Sequence, residues 1–224
     1  MINSKNQVLE KINVDIEFDF NGIIGQDNFT DYTIIIPGQN PFRVHRAILA
    51  NYSLFFDNCL VSGLKEDTDG EFEVPKKTHY EIFPTLLQYM YTSEIDVTKE
   101  NLLPLIEVSR YYQVQSLSEK LRTHINSILT PENALFFVNQ CYLKELPLAL
   151  EYVSNYISDH YSEISREGFG NSFDTKTFAR ILERAILNKS FEGNVEAEID
   201  NFMNGETPSP EDAEILENLK NIVC

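Results

Sequence analysis

Phe42-Arg43-Val44-His45-Arg46-Ala47-Ile48-Leu49-Ala50, with Ser53, Phe55 and Phe56 close behind, is the stretch that decides the fold. It reads as the end of a strand running into a short helix, with a second helix following. Upstream, Phe29-Thr30-Asp31-Tyr32-Thr33-Ile34-Ile35-Ile36 is a run rich in β-branched residues, broken by the turn at Pro37-Gly38. A hairpin therefore feeds a tight helical pair.

Outward from that stretch the pattern continues in both directions. Ile12, Val14, Ile16, Phe18 and Phe20 alternate with Asn13, Asp15, Glu17 and Asp19, a period of two that predicts a strand. Downstream, Leu54, Phe55, Cys59 and Leu60 predict a helix stopped by Gly63. Asp67 to Gly70 reads as a turn, and Phe72 with Val74 as a short strand closed by Pro75. Thr78 and Glu81 have the spacing of a capping box for a helix carrying Phe83, Leu86, Leu87, Met90 and Tyr91. Pro84 then requires that helix either to kink or to start nearer Glu81.

Further helices are expected on Leu102 to Tyr112 and on Leu117 to Ile128. Thr130-Pro131-Glu132 marks a new helix start, followed by Leu135 to Tyr142 and Leu148 to Tyr156. Gly168 to Phe173 reads as a loop, Phe178 to Ile186 as a helix, and Pro210 to Ile222 as one more possible helix. No repeat of roughly 33 to 50 residues is visible.

The composition bounds the function. Hydrophobic residues make up 42 % of 224, enough for a packed core, and the net charge is −17. That charge argues against nucleic acid or an anionic membrane as partner, since both select clustered Lys and Arg. No apolar run approaches the roughly 18 residues that cross a bilayer, and the start lacks a signal-peptide pattern. The expectation is a cytoplasmic or nuclear protein that is not secreted. Cys59, Cys141 and Cys224 are odd in number, have no metal-like spacing, and read as reduced thiols. Nine acids against Lys220 alone between Ser190 and Cys224 predict a solvated, flexible acidic tail.

The segments Asp31, His45 to Ala50, Phe55-Phe56, Tyr89-Met90-Tyr91-Thr92-Ser93-Glu94-Ile95 and Asn101 to Ser109, in this order and spacing, resemble a BTB (POZ) domain from about Asn28 to Leu129. Thr130 to Ile157 resembles the BACK helical extension found after BTB in adaptors of cullin-type ubiquitin ligases. The resemblance implies an α+β (α/β) fold: a short mixed sheet surrounded by helices, followed by a helical BACK-like extension. It divides the chain into an N-terminal strand segment (1–27), BTB/POZ (28–129), a BACK-like region (130–189) and the acidic tail (190–224).

The resemblance also supplies candidate sites. Leu64-Lys65-Glu66 falls where cullin-binding members carry a hydrophobic residue, any residue, then Glu. It implies that Leu64 fills an apolar notch while Glu66 makes polar contacts beside it, with Tyr111 or Tyr112 as a nearby anchor. Asp31 and Arg46 read either as a charged pair near a dimer groove or as ordinary surface charge. Many dimeric relatives begin with a helix, whereas this chain offers the strand from Ile12 to Phe20, which either joins its own sheet edge or swaps to a partner subunit. The implied partners are a cullin scaffold, a second copy as homodimer, and a client protein. A homo-oligomerising scaffold without a cullin is the alternative.

No enzymatic constellation is visible, and no cofactor or metal is expected. His45 has no paired carboxylate or nucleophile in register and reads as a core or capping residue. His79, His124 and His160 are isolated from one another and from the cysteines. Asp67, Asp69 and Glu71 imitate a calcium loop, but Phe72 stands where glycine is needed and Thr78 where glutamate is needed.

Overall fold

A computed structural model describes residues 29–61, 65–165 and 169–221. The expected strand from Ile12 to Phe20 lies outside them. The chain divides into two compact units, Met1–Leu121 and Arg122–Cys224.

In the first unit, β1 (Tyr32–Ile35) pairs antiparallel with β2 (Phe42–Val44), Ile34 opposite Phe42. The hairpin turns at Pro37-Gly38, where Gly38 sits at φ +85° and the Gln39 N–H donates to the Ile36 carbonyl. Proline second and glycine third is what a type II turn requires. The chain then runs through α1 (Arg46–Tyr52), α2 (Leu54–Leu60) and α3 (Lys65–Asp69) before β3 (Glu71–Glu73) returns parallel beside β1. The order β2-β1-β3 puts β1 in the middle of a mixed sheet. Tyr32, Ile34 and Ile36 are fully buried on its core face, with Val44, Phe72 and Val74 alongside.

Three expectations change here. The turn at Asp67 to Gly70 is instead the short helix α3, ended by Gly70 at φ +71°. Lys77–His79 forms a 3-10 turn, and α4 (Phe83–Thr92) starts with Ile82 as an N-cap that makes no side-chain bond, so Thr78 and Glu81 form no capping box for it. Pro84 then falls in the first turn of α4, where its missing N–H costs nothing. Leu54 points outward, at 57 % exposure, while Phe56 and Leu60 face the core. α5 (Leu102–Tyr111) and α6 (Gln115–Ile128) follow as expected.

The centre of this unit is aromatic. Tyr112, fully buried, lies 4.9 Å from Phe83, 5.4 Å from Phe55, 5.9 Å from Phe56 and 6.2 Å from Phe72, measured between ring centroids. Its hydroxyl sits 3.2 Å from Nδ1 of His79, which is itself fully buried. Burial, then the charges of Tyr111 and Tyr80, pushes the Tyr112 phenol well above its ordinary range. Ser53 closes the arrangement. Its hydroxyl accepts from the Phe56 N–H at 3.1 Å, capping α2, and donates to the Tyr112 carbonyl.

The second unit is helical throughout its described residues: α7 (Ala134–Leu143), α8 (Pro147–Asp159), α9 (Phe169–Ser172), α10 (Thr175–Leu187), α11 (Val195–Met203) and α12 (Pro210–Asn221). α9 replaces the loop expected from Gly168 to Phe173. Asp174 caps α10 by accepting from the Thr177 N–H at 2.8 Å, and the Tyr142 hydroxyl donates to the same carboxylate at 2.8 Å. Burial alone would raise that carboxyl, yet these hydrogen bonds hold it below its usual range.

The acidic end is not the flexible tail its composition suggested. Val195, Ile199 and Phe202 of α11, and Leu216 and Leu219 of α12, are buried. Their helical spacing supplies apolar faces, so most of the acids stay on the wet sides, and half-buried Glu198 accepts the Tyr161 hydroxyl at 2.9 Å. Phe202 stacks on Phe178 of α10 at 3.9 Å, nearly parallel.

Three helices end in the same way. After α5 the Val114 N–H reaches the Ser109 carbonyl and Gln113 adopts φ +51°; after α7 Leu146 reaches Cys141 across Glu145 at φ +53°; after α10 Ser190 reaches Ala185 across Lys189 at φ +62°. Each is a Schellman cap with a long side chain at the left-handed position.

Two predictions follow from the packing. A Cβ on Gly170 would meet the Phe202 carbonyl oxygen at 2.6 Å, a backbone atom with little room to move. Gly170→Ala should destabilise the helical unit by about 1–3 kcal/mol, read as a lower midpoint in urea. His79 is held near pKa 4, first by burial and then by the Lys76 charge. The unfolded chain therefore binds its proton at higher pH than the folded one, and stability falls as pH drops through the interval from 6.5 to about 4. Between pH 7 and pH 5 this group should remove about 2 kcal/mol of stability. The loss should be absent in His79→Gln when the two proteins are melted side by side.

Candidate protein-interaction surface

The start of α1 brings several candidates together. The Asp31 carboxylate accepts the Arg46 backbone N–H at 2.8 Å, and Arg46 Nε donates to the Asp31 carbonyl at 3.4 Å. The guanidinium lies 4.9 Å from the centre of the Tyr32 ring. Among the described residues, then, Asp31 meets Arg46 through backbone groups: an exposed carboxylate anchors the first turn of a helix, where the dipole favours it. His45 occupies the N-cap position. Its N–H donates to the Tyr91 hydroxyl at 2.9 Å and its ring Nδ1 lies 3.2 Å from the same oxygen. Burial raises the Tyr91 phenol to about 12; the bond from the His45 N–H works against this and the Asp31 charge adds to it. The arrangement builds the hairpin-to-helix junction and leaves His45 no reacting partner.

The other candidates sit farther along. Leu64 lies outside the described residues. Glu66, half-buried, is in α3, where its backbone carbonyl accepts the Tyr32 hydroxyl at 3.0 Å. Cys59, half-buried on α2, has its thiol pushed up by burial and by the Glu66 charge. Tyr111 is half-buried, edge-on to His79 at 4.9 Å, with the Lys76 ammonium 4.3 Å from its ring centre. Tyr112 is corrected. Fully buried behind Tyr111, it cannot touch a partner, and it serves as core.

The outer face of α2 was missed. Leu54 at 57 % and Val61 at 76 % exposure stand two turns apart, with exposed Asp57 and Asn58 between them. Beside Leu54 and Asp57 runs an open groove of about 480 Å³, continued by Tyr52, Gln113 and Gln115. The sequence carries the signal: Leu54 lies two and six residues before Phe56 and Leu60, spacings that put it on the opposite side of a helix. A mixed apolar and polar face of this kind suits a protein partner better than a small ligand. Among the described residues no group of His, Cys, Asp and Glu could hold a metal ion, and no helix is long and apolar enough to cross a membrane.

Residues 20–129 match the BTB/POZ domain family. The chain is 30 % identical over 168 residues to Kelch-like protein 23 of Mus musculus, covering 71 % of this chain and 30 % of that protein. It is 26 % identical over 145 residues to Kelch-like protein 40 of Xenopus tropicalis, covering 65 % of this chain and 23 % of the relative. It thus spans less than a third of the curated relatives it matches. Among solved structures, the BTB domain of zebrafish PATZ1 is 24 % identical with a TM-score of 0.42, covering 53 % of this chain and 94 % of that one. The central mixed sheet, the paired helices behind it and the matched residues lead to one assignment: residues 20–129 of this chain are a BTB/POZ domain, followed in sequence by a helical unit.

Proposed function

We propose that this protein is a substrate adaptor for a cullin-type ubiquitin ligase, with the helical unit acting as a BACK-like extension. The observation that carries this reading is the exposed Leu54–Val61 face of α2, which leads directly into Leu64-Lys65-Glu66. In this reading Val61 and Leu64 enter an apolar notch on the cullin, Glu66 makes the adjoining polar contact, and Tyr111 borders the interface with Lys76 over its ring. The protein's contribution is effective concentration: it holds a client beside the ligase and performs no bond chemistry itself. Kelch-like relatives at 25–31 % identity support an adaptor role of this type. The domain limits proposed with it are 28–129 for BTB and 130–189 for the BACK-like part. A second copy as homodimer fits the same scheme.

The test is calorimetry of the full chain with a cullin N-terminal region. Micromolar or tighter binding is expected, weakened at least tenfold in Leu64→Ala/Glu66→Ala and in Val61→Asp, both with unchanged melting curves. Absence of binding by the intact protein overturns the adaptor reading. Sedimentation showing concentration-dependent oligomers would then favour a self-associating BTB scaffold.

A further inference from the structure

A separate cleft lies within the helical unit. Arg122 and Asn126 of α6, Tyr152, Asn155, Tyr156 and Asp159 of α8, His160 and Arg184 of α10 enclose about 420 Å³. That volume lies in the range of sites for small ligands and short peptide stretches.

Its charge runs against that of the whole molecule. On a chain of net charge −17, this cleft gathers two guanidiniums and a single lining carboxylate. That carboxylate is already engaged. Asp159 Oδ1 takes Nε and a terminal nitrogen of Arg184, each at 3.3 Å, and Asn188 Nδ2 at 2.8 Å. The other terminal nitrogen of Arg184 donates to Asn155 Oδ1 at 3.1 Å. These contacts fix the plane of the guanidinium while using three of its five N–H groups, so hydrogens remain for a further acceptor. Arg122 is exposed, and among the described residues no carboxylate pairs with it. One arginine is thus preorganised, and the other is a cation with no carboxylate partner among the described residues.

The rest of the lining is suited to a peptide. Tyr152 donates to Asn126 Oδ1 at 2.8 Å, leaving the Asn126 amide hydrogens as donors to a ligand carbonyl. The Tyr156 and His160 rings lie 4.4 Å apart and offer aromatic surface beside the polar groups. Glu163, 3.3 Å from His160 Nδ1, and Glu132 both act on Tyr156, so negative charge borders that side. An anionic group is directed away from it, toward the arginines.

We propose that the cleft bounded by α6, α8 and α10 binds an anionic side chain, carboxylate or phosphate, displayed on an extended peptide segment. Arg184 receives the oxyanion in a bidentate fork, Arg122 neutralises it, and Asn126 meets the adjoining main chain. The site would serve client capture, and it stands whether or not the BTB domain engages a cullin.

The experiment titrates full-length, nitrogen-labelled protein with three capped pentapeptides carrying glutamate, phosphoserine or glutamine at the centre of an alanine frame. Binding of the glutamate or phosphoserine peptide on the order of 0.1–1 mM is expected, at least fivefold tighter than the glutamine peptide, with shifts at Arg122, Asn126, Tyr152 and Tyr156. The tighter of the two acids names the source of the anion. Arg122→Gln, an exposed change expected to leave the melting curve intact, should weaken that binding at least fivefold. Equal binding of all three peptides, shifts that map elsewhere, or an unaffected Arg122→Gln protein would overturn the proposal. No cullin is present in the assay, so its failure is separate from failure of the adaptor reading.

Discussion

Burial of the Tyr112 ring is the constraint on which the BTB unit rests. The ring is reached by Phe55 and Phe56 from α2, Phe72 from the sheet and Phe83 from α4, so one side chain at the end of α5 ties a strand to two other helices. Three of these contacts are edge-on and that with Phe56 is nearly parallel, and aromatic pairs add about 0.5–1.5 kcal/mol each to the gain from area burial. The cost is a phenol removed from water, and His79 offsets it by presenting a ring nitrogen from the 3-10 turn. His79 must stay neutral to do so, in a pocket that would pay heavily for its charge. The Ser53 hydroxyl then links the backbone of the same tyrosine to the junction of α1 and α2. Core packing and the placement of the outward-facing α2 are therefore one problem, solved once.

The readable parts of the sequence were those where a single period operates. Tyr32, Ile34 and Ile36 alternate, and the structure buries all three. Leu102 to Tyr111 and Thr175 to Leu187 repeat every three to four residues and are helices. Less legible were places where two signals compete. Thr78 and Glu81 have capping-box spacing, but Pro84 and the 3-10 turn at His79 move the helix start beyond them. Tyr111 and Tyr112 are adjacent and chemically identical, so only tertiary packing decides which one is core. At the acidic end composition hid pattern: Val195, Ile199 and Phe202 form a helical stripe among acids, and the stripe prevails because solvated carboxylates on the far side cost little.

The candidate surfaces divide along similar lines. Asp31 and Arg46 meet as the first-turn anchor of α1, which makes their pairing a condition of the hairpin-to-helix junction. The apolar positions of α2 have no such structural duty, since Leu54 and Val61 contribute little to the core while exposed to water. Residues that fold the domain and residues free to meet a partner thus alternate around one short helix. The helical unit uses a different principle, in which an exposed ion pair between Arg184 and Asp159 is held in place by Asn155 and Asn188 and leaves polar groups facing a cleft.

The Schellman caps at Gln113, Glu145 and Lys189 carry a consequence for evolvability. A left-handed backbone costs a long side chain roughly 1–2 kcal/mol, while glycine there gives back only about 0.4–1 kcal/mol through the freedom of the unfolded chain. At each of these three sites the balance favours glycine, and Val114 and Leu146 beside two of them already supply the buried apolar contact that such caps employ. The fold therefore holds latent stability at helix ends; Gln113 also lines the groove beside α2, whereas Glu145 lines neither that groove nor the arginine cleft. Destabilising changes at either surface can be absorbed there, which leaves partner specificity open to drift without loss of the scaffold.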